Sequence, residues 1–232
     1  RFRNVTGVQT CALPIFDNLL LIDYFLGLTG KKKPKVCFIG AAHGDADAGR
    51  LRFYAGFSRF DCKPNHLPLF ARTPRDLESF VMEHDAIYVG GGNTRSMLAV
   101  WREWQLDVYL RKAYDKGIVL GGASAGSICW FEQGVTDSVA VALTAMPCLG
   151  ILKGSNCPHY NSEPLRRPTY RKFVASGKIM DGMAADDGAA LHFVDGKLKQ
   201  AVASLPRAKA WQVSRNKRGF IEKALPTRYL GK

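Results

Sequence analysis

Gly117-Ile118-Val119-Leu120-Gly121-Gly122-Ala123-Ser124-Ala125-Gly126-Ser127 is the stretch on which the reading of this chain turns. A short apolar run ends in glycines, and one serine then stands where a helix can begin. Gly122-x-Ser124-x-Gly126 has the form of a nucleophile elbow: small flanking residues let the backbone bend sharply and present the serine hydroxyl beyond the end of a strand. The following helix is expected over residues 125 to about 131. Its first N–H groups point at the same spot, where negative charge is stabilised. The alternative is a glycine-rich strand–helix turn with an incidental serine, because short glycine motifs recur by chance.

Working outward, residues 35–40 (KVCFIG) and 86–89 (AIYV) are apolar at successive positions, as strands buried on both faces of a parallel sheet are. Another strand is expected near residues 66–70. Helices are expected over 17–28, over 46–60, from Pro74 with Thr73 as N-cap, and through Trp101 to Tyr114. Alternating strands and helices imply a parallel sheet covered on both faces. Sites in such sheets lie at the carboxyl ends of strands, where Gly90–Gly92 and Gly121-Gly122 both fall. In the last third, residues 191–194, 200–202, 210–213 and 220–222 read as short strands with hairpin-like turns such as Asp195-Gly196, an antiparallel extension of the sheet. The expected fold is α/β, a three-layer sandwich with a mostly parallel sheet, forming a single domain over residues 16–232.

The 232 residues are 47% hydrophobic and 23% charged, enough for one domain with a substantial core. Residues 19–28 are interrupted by Asp23, and no apolar run reaches the ~18 residues of a spanning helix, so no membrane partner is expected. Cysteines stand at 11, 37, 62, 129, 148 and 157 without a CxxC pair. They read as free thiols in a reducing cytoplasm, with Cys37 and Cys129 buried. The net charge is +13, from 33 Lys+Arg against 20 Asp+Glu. The basic residues are dispersed, with modest clusters at 31–35, 166–172 and 207–218. No nucleic-acid motif accompanies them, so they read as a solvated basic surface. Residues 1–15 differ from the rest: residues 8–15 have no helical or strand period and resemble the translation of a sequencing adapter. They are set aside from the fold argument as a non-native scar.

A serine hydroxyl needs a base in hydrogen-bond reach, and the base needs an orienting partner. Of five histidines, His159 stands out, because Cys157-Pro158-His159-Tyr160-Asn161 is a loop following a short apolar stretch. His84 reads as surface, and His66 and His192 as structural. His43, in the first strand–helix loop, is placed to line a pocket. The N–H of Ala125 and that of Gly91 or Gly92 are the candidate donors to an oxyanion. Gly90–Gly92 also invites a phosphate-loop reading, but GGGNT carries neither the Walker lysine nor a full GxGxxG.

Taken in order, Tyr88-Val89-Gly90-Gly91-Gly92-Asn93-Thr94, Gly122-Ala123-Ser124-Ala125-Gly126-Ser127 and Pro158-His159-Tyr160 resemble the peptidase E family of serine peptidases, which includes aspartyl dipeptidase and the related cyanophycinases. The resemblance spans roughly residues 34–225. It implies a fold similar to the class I glutamine amidotransferases, with Ser124 as nucleophile and His159 as general base. It implies no metal and no organic cofactor, and a small peptide substrate; a homodimer is compatible with it. For the acid of the triad it favours Asp137, with Glu163, Asp186 and Asp187 as alternatives. An N-terminal Asp side chain would be held by basic residues, for which Arg166, Arg167 and Arg171 are the candidates, and Asn93 and Thr94 are expected at the substrate. The spacing of these arginines from His159 does not match the dipeptidase pattern cleanly. Two other readings stand beside it. One is an esterase of α/β-hydrolase type, which places its histidine last. The other is a non-catalytic basic binding module.

Overall fold

The structure is a computed structural model and describes residues 4–8, 19–140 and 142–231. Its first half runs β1 (Asn4–Val8), α1 (Leu19–Gly27), β2 (Lys35–Ile39), α2 (Asp47–Phe57), β3 (Lys63–Leu67), α3 (Leu77–Met82), β4 (Ala86–Val89), α4 (Thr94–Glu103), α5 (Leu106–Lys116) and β5 (Val119–Gly122). The period-two alternation of these strands decides the layers. Val36, Phe38, Ala86, Tyr88 and Val119 share one cluster with Phe25 of α1 and Phe53 and Phe57 of α2. Cys37, Ile39, Ile87, Val89 and Leu120 share another with Val81, Leu98, Trp101 and Leu110 of α3 to α5. Helices therefore cover both faces, and the strands carry apolar side chains on both, as the sequence predicts.

The second half holds α6 (Ala125–Ile128), β6 (Phe131–Thr136), β7 (Thr144–Pro147), β8 (Leu152–Cys157), α7 (Arg166–Ser176), β9 (Gly182–Ala185), β10 (Ala189–Val194), β11 (Lys197–Ala203), β12 (Ala210–Asn216), β13 (Gly219–Leu225) and β14 (Thr227–Tyr229). Two sheets result. The larger has the order β14-β11-β10-β1-β5-β4-β2-β3, and the smaller β13-β12-β9-β8-β6-β7. In the larger, β1, β5, β4, β2 and β3 are parallel neighbours, and β10 and β11 add the antiparallel edge. In the smaller, β6, β8 and β9 are parallel, while β7, β12 and β13 pair antiparallel. Helix α7 packs Tyr170, Phe173 and Val174 against Val135, Cys157 and Val213 of that sheet.

Several expectations need correction. The C-terminal strands do not all extend one sheet: β10 and β11 join the larger, and β12 and β13 the smaller. The helix after the elbow ends at Ile128 rather than near Phe131. The carbonyls of Cys129, Trp130 and Phe131 accept from Leu149, Leu152 and Gly150, which draws the chain out of the helix and into β6. Helix α3 starts at Leu77 because Asp76, not Thr73, caps it, its carboxylate accepting from the Ser79 N–H at 2.9 Å. Strand β3 ends at Leu67, since the N–H groups of Leu69 and Phe70 donate to Asp45 instead of a ladder. Gln105, with φ of 53°, breaks the single expected helix into α4 and α5. His84 is buried on the Phe80 carbonyl rather than exposed. Residues 4–8, which lie within the stretch set outside the fold, pair as β1 between β5 and β10. Cys11 lies outside the described residues. The five described cysteines are free, and Cys37, Cys129 and Cys157 are buried.

Candidate active site

Strand β5 ends against β4, and the elbow is built on that contact. A Cβ on Gly126 would lie 2.2 Å from the Val89 carbonyl oxygen, and one on Gly122 would lie 2.5 Å from the same atom. Only glycine at both positions lets the turn pack this tightly. Ser124 then adopts φ 54° and ψ −112°, a conformation that side-chain-bearing residues rarely take. Such strain persists where the surrounding structure over-determines it. Here the Ser127 and Ile128 N–H groups, both 2.9 Å from the Ser124 carbonyl oxygen, fix the turn from the helix side.

His159 follows β8 of the other sheet and is also strained, with φ of 57°. Its Nε2 lies 2.9 Å from Ser124 Oγ, and its Nδ1 lies 3.0 Å from Asp187 Oδ1. An ionised carboxylate only accepts, so Nδ1 carries the proton and Nε2 is left to accept from the hydroxyl. His159 is 1% exposed, which keeps its ring out of bulk water. Asp187 is held in turn, its N–H donating to Asn161 Oδ1 at 2.9 Å.

The other acids stand elsewhere. Asp137 is not on the histidine: its exposed carboxylate lies 3.4 Å from Arg166, across the cavity. The next residue, Ser138, is pinned by Asn93 Nδ2 and Thr136. Asp186 turns away, accepting from Trp211 Nε1 at 3.1 Å and from the Lys209 N–H at 3.0 Å, and burial raises its pKa. Glu163 stands on the other nitrogen of the ring: its Oε1 lies 3.9 Å from His159 Nε2, and its Oε2 accepts from Arg166 Nε at 2.6 Å.

Gly91 packs directly on the nucleophile: a Cβ there would sit 3.1 Å from Ser124 Cβ. Gly92 has φ of 132°, and a Cβ on it would clash with the Ala42 carbonyl oxygen at 2.3 Å. Ala125 N–H opens α6, where first-turn N–H groups have no partner inside the helix. Asn93 caps α4 through Ser96 and lines the cavity. Thr94 does not line it: it is 1% exposed and holds Thr136. Arg166 lines the cavity but is buried, donating to the Val135 carbonyl as well as to Glu163. Arg171 is drawn off to Glu222 together with Arg167. His43 is half-buried against Phe38 and does not line this cavity; burial lowers its pKa. Ser138 is a lining residue that the sequence reading passed over. The cavity measures about 330 Å³.

An elbow serine at a strand end, with His159 on its hydroxyl and Asp187 on the far ring nitrogen, has the geometry of a serine hydrolase. The model of peptidase family S51 matches residues 16–201. The chain belongs to peptidase family S51 and is a serine-type peptidase. It is 50% identical over 215 residues to a Bacillus subtilis (strain 168) protein named "Uncharacterized peptidase YgaJ", covering 93% of each chain. Among solved structures, a peptidase from an acI-B1 Actinobacterium matches with a TM-score of 0.67 at 18% identity, covering 97% of this chain and 95% of that one. A Listeria monocytogenes EGD-e structure named "Putative Peptidase E Protein" matches with a TM-score of 0.63 at 18% identity, covering 85% of this chain and 97% of that one. Both show the likeness of fold. Among the described residues no helix is long and apolar enough to cross a membrane.

Proposed function

We propose that the protein is a serine exopeptidase that hydrolyses short peptides through an acyl-enzyme on Ser124. The observation that carries this is the continuous relay Ser124–His159–Asp187, at 2.9 and 3.0 Å. Ser124 Oγ attacks the scissile carbonyl carbon while His159 Nε2 takes its proton. Asp187 stabilises the imidazolium that forms. The N–H groups of Ala125 and of Gly91 or Gly92 hold the oxyanion. On collapse His159 returns the proton to the leaving amine, and the acyl-enzyme remains. Water, deprotonated by His159, then releases the acid. The small cavity, closed on one side by the pinned loop at Ser138, favours short peptides over folded or long chains.

The order Ser…His…Asp along the chain argues against an α/β-hydrolase esterase, where the histidine comes last. The family resemblance implies Asp-X dipeptides, and Arg166 is the arginine that lines the cavity with Ser124, so the dipeptide panel includes them. The test is labelling of wild type and Ser124→Ala with a fluorophosphonate, read by mass spectrometry, beside a panel of Asp-X, Leu-X and Gly-X dipeptides. Labelling at position 124, lost in the variant, supports the reading. A folded wild type that does not label refutes it.

A further inference from the structure

The three arginines near His159 are the natural hosts for an acidic substrate side chain, yet none of them is free. Arg167 and Arg171 converge on Glu222. Arg166 gives Nε to Glu163, Nη1 to the Val135 carbonyl and Nη2 to Asp137. The group beside His159 Nε2 is therefore not the cation but the Glu163 carboxylate it supports, with Asp137 also lining the cavity. Glu163 Oε1, left over from the arginine contact, is 3.9 Å from His159 Nε2. In a peptide the α-nitrogen is two bonds from the scissile carbonyl carbon, so an ammonium on Oε1 leaves that carbon within reach of Ser124 Oγ.

A second cavity of about 410 Å³ adjoins the first and shares Asp137 and Glu163 as its wall. Its other described lining is apolar, including Val139, Leu143, Pro164 and Leu165. Val139 and Leu165 are exposed, at 43% and 67%. One Cα carries both the ammonium and the side chain of a first residue. Carboxylates standing between two cavities therefore direct the scissile bond into one and the side chain into the other.

Resting on the peptidase reading above, we propose that the substrates are short peptides with a free amino terminus and an apolar first residue. Glu163, aided by Asp137, binds the α-ammonium, and the Val139–Leu165 cavity takes the first side chain. Arg166 positions the two carboxylates and does not bind substrate. The arrangement also sets the exopeptidase register, because an internal peptide bond offers a neutral amide where Glu163 requires a cation.

The test compares Leu-Gly, Asp-Gly and N-acetyl-Leu-Gly on wild type, Glu163→Gln, Glu163→Asp and Leu165→Asp, with folding checked by circular dichroism. A charge-assisted hydrogen bond of ordinary strength predicts a preference of about tenfold to a hundredfold for Leu-Gly over its acetylated form. Glu163→Gln should collapse that preference mainly through KM, with Glu163→Asp restoring part of it. Leu165→Asp, on an exposed residue, should lower kcat/KM for Leu-Gly while sparing Ser124 labelling. Equal cleavage of free and acetylated peptides, or an Asp-Gly rate above Leu-Gly, overturns the assignment. Equal loss of both peptides in Glu163→Gln overturns it too, because it marks a purely structural carboxylate. Absence of fluorophosphonate labelling in the wild type instead defeats the peptidase reading itself, so the two failures are distinct.

Discussion

At the scale of single residues the site separates two acids that the sequence leaves in competition. Asp187 holds Nδ1 of His159, whereas Asp137 lies with Arg166. Asp187→Asn should reverse the histidine tautomer and lower kcat on the order of 10⁴-fold. Asp137→Asn should leave kcat within about tenfold and act mainly on KM, since charge-assisted contacts of this kind are worth about 1.5–3 kcal/mol. Steady-state kinetics on the two variants decides between them. Ser124 and His159 are legible in the sequence because each sits in a local signature: glycines around a turn, and a loop directly after an apolar strand. Asp187 is not legible, because its role depends on where β9 ends beside β8, which is a matter of register between residues as far apart in the chain as Cys157 and Ala184. The Asp186-Asp187-Gly188 turn is the one local hint, and it does not say which aspartate faces inward. Only the hydrogen bonds of Asp186 to Trp211 and Lys209 settle that.

At the scale of elements, the hairpin of β12 and β13 deserves a role that its distance from the elbow conceals. It lies beyond residue 201, where the family match ends. Yet it touches the immediate neighbours of both His159 and Asp187. Tyr160 donates to Glu222 at 2.5 Å, and Trp211 donates to Asp186 at 3.1 Å. Arg167 stacks over Trp211, with its guanidinium carbon 4.3 Å from the ring centroid. His159 holds an unfavourable φ, and these contacts brace the chain on the side of Tyr160 and Asp186. Tyr160→Phe and Trp211→Phe should each lower kcat several-fold with little change in KM, and the double variant should lose more than either. The elbow carries a stricter requirement. Gly126→Ala puts a methyl group 2.2 Å from the Val89 oxygen and should cost about 3 kcal/mol or prevent folding, read by denaturant titration. The parallel strands are legible from their continuous apolar runs, but the division into two sheets is not. Strands β10 to β13 follow one another as short strands joined by short connections, and only long-range pairing assigns β10 and β11 to one sheet and β12 and β13 to the other.

At the scale of the whole molecule, acid should act in two stages. Burial, with Lys199 adding to it, pushes His192 down to about 4, and burial likewise lowers His84, His66 and His43. The unfolded chain protonates these rings near pH 6.5, while the folded chain resists, so this stability is complete above that pH and drains as pH falls towards about 4. Glu222 follows. Burial opposes its ionisation, but hydrogen bonds from Arg171, Arg167 and Tyr160 outweigh burial and hold it at about 2. Its contribution is present above the ordinary glutamate value and is lost as pH drops through that value towards about 2. Melting temperatures measured from pH 7 to pH 3 should fall throughout, and Glu222→Gln should flatten the lower part of that curve.

Ser124 stands at the end of β5 in one sheet, and His159 at the end of β8 in the other. Their 2.9 Å hydrogen bond is thus a gauge stretched across a joint between two separately laddered slabs. A slip of a single ångström along that joint would silence the enzyme while every strand kept its own ladder. Turnover should therefore vanish at lower urea than the far-ultraviolet circular dichroism signal. The distance between those two midpoints would report how firmly the slabs are fastened to each other.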